Sequence, residues 1–575
     1  MQRLVAWTIL VLLVGPSTLF AAQIEDLEGS WYGVLTLPND AELRLVVEFE
    51  PRPGGELGAS FFSLDEGGQA IRVNTLSLEA DVLRLEIDLL NLVMEGPLGP
   101  DSNSLELQFQ VSNLSLPLDL ERVAQVPGFP RSQNLSHPLP YHEEEIAYPG
   151  GGPDVQLAAT LSLPAGEGPF PAAILITGSG AQDRDETVYY HRPFLILADH
   201  LVRRGIAVLR ADDRGWGASS GDFAAANTVD FVDDALAGLA YLQSRPEIDP
   251  ARIGLVGHSE GGMIAPMAAA REQAIAYIAL LAGPGIPAVE LLERQRRDIG
   301  YTEGASTDQI EANIAWTSQA QALLLTEPDN SAAGRQLRAL YNDLDQETKD
   351  ILDWTPQILN QVVAQLTTPW YRYFITYDPA PALEQVQCPV LAINGTLDVQ
   401  VAHDDNLAGI EAALERGGNP DFTIETLPNL NHFFQTATTG AISEYPSLAE
   451  TFAPLALERV SNWIRSRTGL EATAVAGLTE TLPTTGLFID NYPNPFNSST
   501  VLRFALPAAG PVEVAIFNAG GQRVSTMAYD RLAAGLHAVA WEGRDQASRP
   551  LASGTYLYRL QAGTRVETHK LLLLR

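Results

Sequence analysis

The 575-residue chain is too long for one ordinary domain, and its 46% hydrophobic and 19% charged content is that of globular material. With 71 acidic against 36 basic residues, its formal net charge is −35, which excludes a nucleic-acid binder that needs a basic footprint. One cysteine, Cys388, excludes an internal disulfide framework and a cysteine-rich zinc site.

In chain order, residues 1–22 have the make-up of a signal peptide. Arg3 supplies a positive charge, residues 4–15 an apolar core and residues 17–22 small side chains for cleavage. The apolar stretch is short for a membrane span, and an exported chain without disulfides points to a bacterial route. Residues 23–125 alternate strand-like segments with turns such as Pro53-Gly54-Gly55 and Glu66-Gly67-Gly68, predicting a small antiparallel β domain. Residues 126–140, with Pro127, Pro130, Pro138 and Pro140, are expected to be a linker.

From 141 to 467 apolar runs at 172–176, 206–209, 253–256, 277–281, 390–393 and 422–426 suit buried parallel strands with helical patterns between them. The expected fold class is α/β, a doubly wound and mostly parallel sheet. Between about 286 and 380 the rhythm turns helical over a length too great for a simple crossover, so a cap insertion is predicted there. Residues 468–486 lose periodicity and suggest a second linker. The tail, 487–575, returns to β signals.

The chemistry centres on Gly257-His258-Ser259-Glu260-Gly261. An apolar strand enters this motif and a small-residue helix leaves it, the context of a nucleophile elbow that exposes Ser259. Gly217-Ala218-Ser219-Ser220-Gly221 has the same spacing but lies among polar residues without that context, so Ser219 is expected to be a loop residue. A serine hydroxyl needs a histidine base held by a carboxylate. Only His403 and His432 follow Ser259 within this domain, and His432 stands directly after the strand at 422–426. Asp398, just past the strand at 390–393, is the acid expected from the order serine, acid, histidine; Asp378, Asp404 and Asp405 are alternatives. The oxyanion needs backbone N–H donors: Glu260, and either Ser179 or Gly180 in the loop after the strand at 172–176. Among the cap aromatics Trp316, Trp354 and 370–374, the best candidates for the substrate pocket are Trp370, Tyr371 and Phe374. No metal or cofactor motif is present, so neither a metal nor an organic cofactor is expected.

The set Gly178-Ser179-Gly180-Ala181-Gln182-Asp183-Arg184-Asp185-Glu186, Asp212-Asp213-Arg214-Gly215-Trp216-Gly217 and Gly257-His258-Ser259-Glu260-Gly261-Gly262 resembles the α/β-hydrolase superfamily, and more narrowly the bacterial esterases and serine aminopeptidase-like hydrolases. Many relatives have a histidine where this chain has Thr177. In this set Asp183, Arg184, Asp213 and Arg214 suggest an ion-pair network supporting the loops. Asn491-Tyr492-Pro493-Asn494-Pro495-Phe496-Asn497, Gly554-Thr555-Tyr556-Leu557-Tyr558 and the ending from His569 to Arg575 resemble the C-terminal sorting domains of type IX secretion cargo, and also the immunoglobulin-like fold of flagellar hook-capping proteins. The resemblance implies a secreted or surface-attached carboxylesterase acting on a small or polymeric ester, with the type IX machinery as partner. A peptidase, an amidase or a polyester hydrolase would use the same triad, and a non-enzymatic surface binder is the reading from another class.

Overall fold

The computed structural model describes residues 24–470 and 488–573, except 53–56, 80–81, 99–102, 136–137, 493–499, 507–509, 519, 533–534, 542, 547–548 and 564. The expected signal peptide, residues 1–22, most of the expected second linker and the 493–497 part of the tail motif lie outside the described residues. The chain divides after Leu470 into two units.

In the first unit, nine antiparallel strands between Gly29 and Val123 form an open, half-barrel sheet in which the first strand, Gly29–Thr36, pairs with the ninth, Leu114–Val123. Alternation decides which face is buried: Leu83, Leu85 and Ile87 of Val82–Ile87 point inward together. Trp31 is fully buried and donates its indole N–H to the Leu27 carbonyl at 2.8 Å, so the large ring enters the core without an orphaned donor. Among its described residues, the Pro-rich stretch 126–140 is irregular yet strapped down. Val126 and Phe129 pack with Val46, Phe62 and Tyr190, and the Gln133 side-chain oxygen accepts from the Thr451 and Phe452 amides. Arg192 adds ion pairs to Glu48 at 2.9 Å and Glu50 at 2.6 Å.

The eight strands of the second sheet run in the spatial order His142–Pro149, Gln156–Leu163, Ala207–Ala211, Phe170–Ile176, Ile248–His258, Ile278–Leu281, Val390–Gly395 and Phe422–Leu427. The first two pairings are antiparallel and the rest parallel. Both faces are covered, which is why the strands are continuously apolar. Ala172, Ile174 and Ile176 pack toward Thr228–Gln243 and Gly261–Arg271, while Ala173 and Leu175 pack toward Pro193–Val202 and Pro454–Arg467. From Phe170–Ile176 the chain goes to Ala207–Ala211 on one side, then crosses to Ile248–His258 on the other. That reversal leaves a crevice at the carboxyl ends of two adjacent strands, where ligands bind in open α/β sheets.

Between Ile278–Leu281 and Val390–Gly395 the chain makes the expected helical cap: Ala288–Thr302, Thr307–Thr326, Asn330–Asn342, Gln346–Leu352, Pro356–Leu366 and Pro369–Phe374. Five of these helices start on a side chain that accepts a backbone N–H, from Ser306, Asp329, Asp345, Thr355 and Thr368, each cap stabilising by about 1 kcal/mol. The cap has its own small core around Trp316, Leu337, Val363 and Tyr371. Gln346–Leu352 has no fully buried residue, and its weak apolar pattern left no signal in the sequence. Cys388 is half-buried, and burial pushes its thiol up to about 11.

His191 is buried, with Nδ1 2.9 Å from the Thr451 hydroxyl and Nε2 3.1 Å from the Tyr445 carbonyl. Burial, with Arg131 nearby, lowers its pKa to about 3, so it stays neutral while folded. The unfolded chain takes up that proton near pH 6.5 and the folded chain only near 3, so the contribution is complete above 6.5 and is lost as pH falls. In chemical unfolding, the stability advantage of the wild type over His191→Gln is expected to shrink by about 2 kcal/mol between pH 7.5 and 5. An advantage independent of pH would contradict a neutral buried imidazole.

The second unit holds two antiparallel sheets. One contains Phe488–Tyr492, Thr500–Leu506 and Gly535–Trp541; the other contains Arg523–Leu532, Gly510–Asn518, Gly554–Ala562 and Arg565–Leu573. Its core includes Leu502, Val514, Ile516, Trp541 and Tyr558. No helix among the described residues is long and apolar enough to cross a membrane.

Candidate active site

Ser259 sits between the strand Ile248–His258 and the helix Gly261–Arg271, in the left-handed region with φ 52°. That conformation costs a non-glycine residue of order 1–3 kcal/mol and persists only where the surroundings over-determine it. Here the Ser259 amide donates to the Leu281 carbonyl at 2.9 Å, and the Ser259 carbonyl accepts from the Gly262 amide at 2.9 Å. The flanking glycines are sterically required: a Cβ on Gly257 would run into the Gly261 carbonyl, and one on Gly261 into the Ile176 carbonyl. The turn therefore holds Ser259 against the loop after Phe170–Ile176.

His432 and Asp398 come together across 34 residues. The His432 Nδ1 lies 2.8 Å from Asp398 Oδ2, and both residues are buried. The other carboxylate oxygen, Oδ1, accepts the Gln400 amide at 2.8 Å and the Val401 amide at 2.9 Å, which fixes the acid's orientation. Asn431, fully buried, shapes the histidine loop: its Oδ1 accepts the Phe433 and Gln435 amides. Asn394 does the same for the acid loop, with its side chain bonded to Val401 O and Gly395 N. With Nδ1 engaged by Asp398, Nε2 is the nitrogen left to exchange a proton. The alternatives lie elsewhere: Asp404 and Asp405 pair with Arg294, Asp378 caps the Ala380 amide, and His403 begins the helix His403–Gly417.

His258 and Glu186 form a second buried pair that local sequence patterns did not single out. His258 Nε2–H donates to the His432 carbonyl at 2.9 Å, while its Nδ1 lies 2.7 Å from Glu186 Oε1. The same Glu186 oxygen accepts the Gly178 amide at 2.7 Å. Burial works to lower the His258 pKa, but the Glu186 charge and hydrogen bond outweigh it and hold the imidazole above its ordinary range. The pair ties together the elbow, the Gly178 loop and the backbone of His432. The contacts span 72 and 174 residues, so only the motif positions of His258 and Glu186 could have hinted at them.

The Glu260 N–H donates to no acceptor among the described residues, so it is free to face a ligand at the start of Gly261–Arg271. The Glu260 side chain has a separate role. Its buried carboxylate accepts from Thr228 Oγ1 at 2.7 Å, from Trp370 Nε1 at 2.8 Å and from the Ser179 hydroxyl. Burial raises its pKa despite these three donors. Ser179 and Ser259 border the same cavity of about 370 Å³, whereas Gly180 borders a small hollow beside Asp213 on the other side of Glu260. Trp370, Tyr371 and Phe374 all line the Ser259 cavity, together with Trp316 and Trp354. Tyr373 does not.

Ser219 lies in a loop away from this cavity. Its hydroxyl donates to Asp212 O at 2.8 Å and accepts the Ala158 amide at 2.8 Å. Of the expected ion-pair network, Arg184 pairs with Asp212 and Glu145, and Arg214 with Asp234. Asp183 and Asp213 are different: among the described residues neither has an ion pair, and each accepts a backbone amide, Asp183 from Thr187 and Asp213 from Gln182. A larger cavity of about 660 Å³ lies between the N-terminal sheet and the catalytic domain, but Ser259 does not border it. Among the described residues no cluster of His, Cys, Asp and Glu is arranged to hold a metal ion.

Residues 151–416 match the X-Pro dipeptidyl-peptidase (S15) family, and residues 496–565 match the FlgD Ig-like domain. Esterase EstD of Thermotoga maritima is 25% identical over 335 residues, covering 57% of this chain and 70% of that protein. Hydrolase ORFZ of Pyricularia oryzae is 29% identical over 202 residues, 33% of this chain and 41% of that one. The solved esterase PF2001 of Pyrococcus furiosus is 15% identical, with a TM-score of 0.37 over 59% of this chain and 97% of its own. Over residues 151–416 the chain is thus similar to serine hydrolases of the S15 and esterase type, and over residues 496–565 to the FlgD Ig-like domain.

Proposed function

We propose that the catalytic domain is a carboxylesterase working through an acyl-enzyme on Ser259. The observation that carries this reading is the buried His432–Asp398 pair, 2.8 Å apart, in a unit whose strained elbow presents Ser259 to a cavity of about 370 Å³. Ser259 Oγ bonds to the ester carbonyl carbon as its proton passes to His432 Nε2. The carbonyl oxygen takes up negative charge, held by the N–H groups of Glu260 and Ser179. The tetrahedral intermediate collapses, the C–O bond to the alcohol breaks, and His432 returns the proton to the leaving oxygen. Water then repeats the sequence on the acyl-enzyme and frees the acid. Trp370, Tyr371 and Phe374 shape the acyl pocket.

The S15 match favours one second reading, a peptidase with the same triad. Hydrolysis of p-nitrophenyl esters from acetyl to long acyl chains, beside an aminoacyl anilide and an X-Pro anilide, separates the two. The esterase reading requires turnover that peaks at short chains and leaves both anilides intact. Cleavage of an anilide at a rate comparable to the esters would replace it with the peptidase.

Glu186 and His258 act here as positioning residues. Glu186→Gln keeps an oxygen for Gly178 but removes the charge that holds His258. It is expected to lower kcat by about tenfold to a hundredfold with a smaller change in KM, because the base's backbone loses its brace. A folded Glu186→Gln with wild-type kcat would contradict that role.

Export completes the proposal. Residues 1–22 would direct the chain across the inner membrane, and the C-terminal domain would engage the type IX machinery. Support comes from the charge and hydropathy pattern of residues 1–22 and the sorting-domain motifs of the tail. Deleting residues 487–575 is the test; extracellular enzyme made without them would refute it.

A further inference from the structure

We infer that the cap side of the Ser259 cavity is a carboxylate-binding subsite formed by Arg296 and Trp316, so that the preferred substrate is an ester bearing a carboxylate away from its scissile bond. This rests on the esterase reading and names the substrate class for the same site.

The helix Ala288–Thr302 carries three nearby arginines with different fates. Arg294 is paired with Asp298 at 2.7 Å and Asp405 at 2.6 Å, and Arg297 with Glu311 and Glu293. Arg296, between them in sequence, lines the Ser259 cavity and has no ion pair among the described residues; its one bond runs to the Leu292 carbonyl of its own helix at 3.0 Å. In a chain with 71 acidic residues against 36 basic ones, a cavity-facing cation with no carboxylate paired to it among the described residues goes against the composition.

A second observation points the same way. Trp316 lines the same cavity and is 1% exposed, yet its indole N–H has no acceptor among the described residues. A buried donor left without an acceptor is costly, and a guanidinium and an indole N–H can only donate. A ligand carboxylate seated at the cap side of this cavity would supply the acceptor that both donors lack. The one acidic residue lining the cavity is Glu260, and its carboxylate is already engaged by Thr228, Trp370 and Ser179. It neither neutralises Arg296 nor offers an open partner to a substrate amine. One guanidinium suits a single planar anion, and a carboxylate matches its paired donors.

The test uses the full chain and the monomethyl half-esters of dicarboxylic acids from succinate to suberate. Each is compared with the neutral methyl ester of the same length, and methyl 6-aminohexanoate serves as the cationic counterpart. At the best length the half-ester is expected to exceed its neutral partner about tenfold in kcat/KM, with the cationic ester the poorest. Arg296→Gln should cost the half-ester about ten times more than the neutral ester, mainly through KM. Trp316→Phe, which keeps a ring but removes the donor, should act in the same direction by a smaller factor. Equal losses on charged and neutral esters, or no preference in the wild type, would overturn the subsite and leave the esterase reading standing. No turnover of any methyl ester by folded protein, with p-nitrophenyl esters also untouched, would overturn both.

Discussion

Ser259→Ala is expected to lower kcat/KM on a short p-nitrophenyl ester by at least about ten-thousandfold, leaving the unfolding midpoint near that of the wild type. The loss is large because no other hydroxyl can replace the one that forms the acyl bond. The fold should tolerate the change, since alanine meets the same left-handed strain at φ 52° and the backbone bonds to Leu281 and Gly262 remain. Ser219→Ala is the matched control. It removes two hydrogen bonds, to Asp212 and Ala158, so it should lower stability by about 1–2 kcal/mol and leave kcat within a few-fold. Equal loss of activity in the two variants would overturn the elbow assignment.

Asp398→Asn should cost about a thousandfold to ten-thousandfold in kcat, more than its small change in shape suggests. Two backbone amides, of Gln400 and Val401, donate to Oδ1, so an asparagine at 398 must place its oxygen there. Its NH₂ then faces His432 Nδ1 and donates to it. The imidazole is driven to carry its proton on Nε2, the nitrogen that must accept one from Ser259. The triad keeps its shape but holds the wrong tautomer. Asp404→Asn, which touches only the surface pair with Arg294, is the control and should be near wild type. A near-normal rate in Asp398→Asn would remove this residue from the mechanism.

Much of the frame was legible because it is written in local pattern. The six apolar runs of the catalytic domain lie in the parallel strands, displaced by a few residues at their ends. The elbow could be read from the glycines around Ser259, and the structure brings Asp398 and His432, both just past strand ends, within 2.8 Å of each other. What escaped the sequence depends on contacts between distant segments. Nothing near Glu260 indicates that its side chain receives the Trp370 indole, 110 residues away. The Glu186–His258–His432 connection is equally non-local. Pro127 to Pro140 has a linker's composition, and only tertiary contacts through Gln133 show it strapped to the catalytic domain. Asp183 and Asp213 looked like ion-pair partners because acidic and basic residues alternate there; in three dimensions the arginines turn to other acids.

The central claim is an acyl-enzyme on Ser259, and trapping it is the most direct test. The full chain is mixed with p-nitrophenyl butyrate, quenched in acid during the first turnover and digested for peptide mass spectrometry. The expected result is a burst of nitrophenol close to one equivalent, with the butyryl group on the peptide containing Ser259 and absent from Ser259→Ala. Turnover that persists in Ser259→Ala, or an acyl group found on another residue, would contradict the mechanism proposed for this site.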